Sequence, residues 1–186
     1  TKAPMFGHTS WHLALFELGR GRHKRALEIY DEGVRPAVSK HRSTLSNSAS
    51  FLWRCIVYGY AVPMDRWEEL LPLATNTAKN ARGEWDDLNA ALAFAGAGNA
   101  AGKDALVVGL RALAEAGKES AGDVAIPLVE GAWAFARGDY DESIDLMAPA
   151  IDGIVAVGGS NAQHEDYWDA LIEAYLRTSR FTEALA

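Results

Sequence analysis

The stretch "GRGRHKRALEIYD" (residues 19–31) and the stretch "FARGDYDESIDLM" (residues 135–147) carry one pattern far apart in the chain. Gly21, His23, Ala26 and Tyr30 in the first match Gly138, Tyr140, Ser143 and Met147 in the second, and Ser179, Phe181 and Ala184 repeat the spacing near the end. Around each bend, apolar residues recur at three and four, as in Trp11, Leu15 and Leu18, the period of a helix with one buried face. Two looser copies bend near Pro63 and at Gly98 to Gly102. The repeat therefore predicts about five helical hairpins, at 9–34, 50–80, 85–117, 123–153 and 161–186, within one domain covering 1–186. A lone hairpin buries too little apolar surface to be stable, so neighbours must stack and share one core. The fold class that follows is all-α, a right-handed α-solenoid. "GIVAVGGS" is the only stretch with any claim to be a strand.

Small residues fall in register at Ala14, Ala91 and Gly131, where packed helices approach closely; the last copy has Ile172 there, so its interface must differ. The single cysteine, Cys55, stands among large apolar residues and reads as a buried thiol. With no second cysteine there is no internal disulfide and no cysteine-based zinc site, which fits a reducing cytoplasm. No apolar run reaches the roughly 18 residues of a membrane-spanning helix, so no membrane partner is expected. The net charge of −7 is uneven: residues 1–60 hold nine Lys and Arg against four acids, a net +5 that leaves −12 for the remainder. Aromatic residues are not interleaved with those cations, which argues for a solvated surface and against nucleic-acid binding.

Specific motifs carry a resemblance. "GHTSWHLALF", "IYDEGVRP", "LWR" with "DRWEEL", "WDDLNAALAFAGAG", "FARGDYDESIDLM" and "GGSNAQHEDYWDALIEAYLR" together resemble the tetratricopeptide repeat protein 38 family, from about residue 6 to the end. The resemblance implies a tetratricopeptide-like (TPR-like) superhelix and a central-to-C-terminal portion of a longer chain, and it implies no activity. Two departures stand out: where the family tends to carry histidine, this chain has Asn89 and Asn161. Asparagine keeps the hydrogen bonding but is no base near neutral pH, so any proton transfer or metal binding by those histidines is expected to be lost.

His8 and His12 are four apart and share a helix face if Thr9 or Ser10 does not begin that helix as its cap. Zinc would want a third ligand that no HExxH or cysteine pattern supplies, so neither a metal nor another cofactor is assigned. His12 and Asn89 stand nine residues before Gly21 and Gly98, and stacking would align them on one polar strip, with Asp87 a turn from its centre. Ser160 and His164 are also four apart, but without a GxSxG elbow the segment reads as a helix start that Ser160 or Asn161 can cap. Trp53 and Arg54 offer an indole and a cation for an anionic or peptide ligand. Trp67 sits at a core aromatic position, and the acidic groups Asp139/Asp141/Glu142/Asp145 and Glu165/Asp166/Asp169 are placed at helix starts.

These residues point to a scaffold or interaction protein. It is expected to bind a protein's peptide segment or a small polar ligand in a concave groove lined by His12, Trp53, Arg54, Asp87, Asn89, Ser160, Gln163 and His164. The alternative is a hydrolase or lyase that uses the same hollow, with Asp87 close to His12 or His164 in an enclosed pocket.

Overall fold

The computed structural model describes residues 5–39 and 41–185. Lys2 and Lys40, two cations of the basic third, lie outside the described residues. Among the described residues the chain is all-α, with ten α-helices and no strand. The first pair is α1 (Phe6–Gly19) and α2 (His23–Gly33). In the second, α3 (Thr44–Val57) is followed by two shorter helices, α4 (Met64–Glu68) and α5 (Leu71–Lys79), where Pro72 starts a new helix instead of continuing the old one. The third pair is α6 (Trp85–Ala97) and α7 (Ala100–Glu115). A π-helical turn at Ala121–Ala125 leads into α8 (Ile126–Arg137) and its partner α9 (Tyr140–Met147). Last come a 3-10 run at Ile151–Val157, α10 (Asn161–Arg177) and a 3-10 turn at Glu183–Leu185.

The bends follow the repeat. Gly98 and Gly138 close α6 and α8 at φ of 63° and 82°, backbone that glycine adopts without a steric penalty. Ser179, at the matching place after α10, takes φ 59° although it has a Cβ. Between α8 and α9 the small residue at Gly131 is required: a Cβ there would stand 2.3 Å from Met147 Cγ.

Several boundaries differ from the periodicity. α1 starts at Phe6, with Thr9 N bonded to Met5 O, so His8 lies inside the helix and neither Thr9 nor Ser10 caps it. α3 starts at Thr44, six residues before the predicted 50. Its polar opening "TLSNS" reads as a loop, yet it is buried and helical. The serine hydroxyls find backbone acceptors, Ser46 Oγ on Ser43 O at 3.1 Å and Ser48 Oγ on Val34 O at 3.3 Å. "GIVAVGGS" is no strand: Ile151, Ile154 and Val157 are buried at intervals of three, matching the three residues per turn of a 3-10 helix.

The first helices of successive pairs pack in order, α1 on α3, α3 on α6 and α6 on α8, around Trp11, Phe51, Trp53, Leu88, Leu92 and Phe94. Trp67 belongs to the same core, its indole lying over Gly96. α10 then returns across the molecule to pack against α3 and α8 as well as α9, and Tyr167 Oη donates to Leu88 O of α6 at 2.9 Å. α10 is thus held by α3, α6 and α8 as well as by its neighbour α9. Cys55 is buried in this core, and burial pushes its thiol up to about 12. Among the described residues no helix is long and apolar enough to cross a membrane.

Candidate functional site

Two side chains one turn apart on α3, Ser50 and Arg54, face α10 and hold it. Arg54 Nε donates to Asp166 Oδ1 at 2.7 Å, Nη1 to Glu165 Oε2 at 3.1 Å, and Nη2 to Ala162 O. Ser50 Oγ donates to the same Oδ1 at 2.8 Å and accepts from Trp11 Nε1 of α1 at 3.2 Å. Trp53 Nε1 donates to Asp166 O at 2.9 Å, and Tyr58 Oη to Asp169 Oδ2 at 2.7 Å. α3 thus binds one buried carboxylate of α10, and α1 is tied to it through Ser50.

Asp166 is fully buried and its Oδ2 has no partner. Burial pushes its carboxyl up to about 6, because losing water outweighs the Arg54 charge and the hydrogen bonds from Arg54 and Ser50. Burial, the largest influence on Arg54, works against its charge; the Asp166 charge and hydrogen bond together still hold it above its ordinary value.

The predicted lining residues separate into distinct places. Trp53 and Arg54 are in the core: the indole packs on Phe135 at 5.5 Å and the guanidinium serves Asp166 and Glu165, so the pair does not face solvent. Asp87 and Asn89 are buried in α6. Asp87 Oδ2 accepts from Arg82 N at 2.9 Å and Glu84 N at 3.1 Å, closing a capping box with Glu84 rather than meeting an imidazole. Asn89 Nδ2 donates to Trp85 O at 2.8 Å within its own helix, while Asn89 Oδ1 and Trp85 Nε1 are buried without partners. His12 lies at the surface and bonds His8, so the imidazole and the Asn89 amide share no bond. Ser160 caps α10, as expected of it or Asn161, and Gln163, expected only as a lining residue, closes a capping box with it, Ser160 N donating to Gln163 Oε1 at 2.9 Å. His164 Nε2 bonds Gly158 O at 2.8 Å and its ring meets the Trp85 indole edge-on at 5.4 Å.

Of the acidic groups, Asp141 and Glu142 do stand in the first turn of α9, but Asp166 is inside α10 and serves the Arg54 ion pair. Ser50 and Asp166 are central residues that the motifs miss. The available signal is positional: Asp166 stands one helical turn from Ala162 and from Ala170, an acid on an apolar face that must find a cation.

His164 also borders a cleft of about 320 Å³ beside α10, lined by Ile151, Asp152, Ile154, Val155, Asn161, Glu165 and Trp168. Ile151 and Ile154 are its buried apolar part, Val155 is exposed at its edge, and the Asp152 and Glu165 side chains are exposed, Glu165 in its pair with Arg54. Beyond it the outer face of α10 presents Trp168, Ile172 and Leu176, four residues apart and 37%, 40% and 43% exposed. Among the described residues no three His, Cys, Asp or Glu side chains converge as a metal site. No family model matches the chain, and no solved structure matches it.

Proposed function

We propose that the chain is a TPR-like interaction protein, a right-handed α-solenoid whose hollow is filled by its own last helix, and that it binds a basic amphipathic peptide segment of a partner protein on the outer face of α10. The recurring helix pairs, the ordered packing of their first helices and the resemblance to the tetratricopeptide repeat protein 38 family support the architectural part. The peptide part is carried by the exposed row Trp168, Ile172 and Leu176, which runs into the cleft lined by Ile151, Ile154 and the exposed Val155. A row of this spacing accepts the apolar side of a helix over about 12 Å. Asp152 at the cleft selects for lysine or arginine on the incoming segment, beside Glu165, which is already paired with Arg54, in keeping with the −12 balance outside residues 1–60.

The test is fluorescence anisotropy with two labelled synthetic helical peptides that carry the same leucine stripe, one flanked by lysine and the other by glutamate. The lysine peptide is expected to bind saturably and the glutamate peptide at least tenfold more weakly. Ile172→Asp should abolish binding and Asp152→Lys should weaken it, with helicity unchanged in both. Equal binding of the two peptides, or binding indifferent to Ile172→Asp, would overturn the proposal.

A further inference from the structure

On α1 stands a second arrangement that the peptide surface does not use. His8 and His12 are one turn apart with their Nε2 atoms 3.2 Å from each other. Two imidazole nitrogens that share a metal at about 2.05 Å each span this distance at a ligand angle of about 100°, between square-planar and tetrahedral values. Their surroundings fix them for that task. His8 Nδ1 donates to Asn47 Oδ1 at 3.3 Å, and Asn47 is itself oriented by Nδ2 donating to Ser43 Oγ at 3.2 Å. That bond places the His8 proton on Nδ1 and turns the Nε2 lone pair toward His12 Nε2, the tautomer that outer hydrogen bonds impose on metal-bound histidines.

The rings are also packed in place. The buried Trp11 indole stacks on His8 at 5.2 Å and meets His12 at 4.4 Å, and its own Nε1 is tied to Ser50. The hydrogen bond between the two Nε2 atoms holds one proton between them, and a bound metal ion takes that proton's place. The Arg54 charge that would repel a cation is paired with Asp166 and Glu165.

We infer that His8 and His12 form a two-nitrogen clamp for a divalent transition-metal ion, Cu²⁺ before Zn²⁺, with its remaining positions open to water or to a ligand from a partner. Paired imidazoles favour copper over zinc, and they offer nothing to the hard, oxygen-seeking Ca²⁺ and Mg²⁺.

The experiment is calorimetric titration of the purified chain with Cu²⁺ alone, then Zn²⁺ and Mg²⁺ alone, joined to electron paramagnetic resonance of the copper form. One copper site with couplings from two imidazoles is expected, with weaker zinc binding and no magnesium binding. His8→Gln and His12→Gln should each weaken copper at least tenfold, and Asn47→Ala by about tenfold through loss of the orienting bond. His23→Gln should leave affinity unchanged. Circular dichroism identifies any variant that misfolds, and the resonance spectrum of the unsubstituted chain stands apart from such variants. Coupling to a single imidazole, a loss below twofold in both histidine variants, or an equal loss in His23→Gln would overturn the inference. None of these outcomes bears on peptide binding to α10.

Discussion

The Asp166 carboxyl has lost all contact with water while its Oδ2 meets no donor, so Arg54 and Ser50 offset the cost of its charge only on the Oδ1 side. Its folded value, about 6, stands above its ordinary 3.8. Between those values the native chain holds a proton that the unfolded chain has released. The stabilisation from this proton is complete below the ordinary value and is lost as pH rises through 6. The difference in stability between the chain and Asp166→Asn, measured by denaturant melts from pH 4 to 7, should therefore shift by on the order of 2 kcal/mol in favour of the unsubstituted chain as pH falls. Removing the cation is more severe: Arg54→Ala leaves Asp166 buried and unpaired and should cost about 3–5 kcal/mol, read from the same melts. Neither residue's partner could be found from the sequence, because 112 positions separate them and no local pattern joins them.

Within the helical elements, local rules explain most of what was legible. The bends at Gly98 and Gly138, the core position of Trp67 and the cap at Ser160 all follow from residue type at a fixed offset. The periodicity failed where polarity and burial part company: Ser46, Asn47 and Ser48 look like loop residues yet are buried in α3. Two substitutions test element-level packing. Ser179→Gly should stabilise the chain by about 1 kcal/mol, because a left-handed residue with a Cβ is strained and glycine is not. Gly96→Ala should destabilise by about 1–3 kcal/mol although alanine is the better helix former, because its methyl would stand 2.5 Å from the rigid Trp67 indole. Thermal melts followed by circular dichroism check both, and pairing Gly96→Ala with Trp67→Leu should restore most of the loss.

For the whole molecule, the return of α10 changes how the helix pairs depend on one another. A stack with contacts only between neighbours unfolds in segments, whereas bonds from α10 to α3 and α6 tie the late part of the chain to its early and middle parts. Melts of the unsubstituted chain followed by helicity and by tryptophan fluorescence should coincide in one transition. In Ser50→Ala, which removes one tie and the Trp11 acceptor together, the midpoint should fall with the two signals still together. The pairs α1 with α2, α6 with α7 and α8 with α9 were readable from the repeat, but α3 packs on α1, α6 and α10 rather than on the helices that follow it, and the closure was not readable. It rests on matches between distant faces, Trp53 with the Asp166 backbone and Tyr167 with that of Leu88.

Cys55 turns that closure into something measurable. With its sulfur walled in and its ionisation raised to about 12, almost no reactive anion exists at neutral pH, and an alkylating reagent finds nothing to attack until the surrounding helices part. The modification rate is therefore a clock for opening of the interior. It should tick faster in Arg54→Ala, and a mass shift on one atom then reports the grip of a helix more than a hundred positions away.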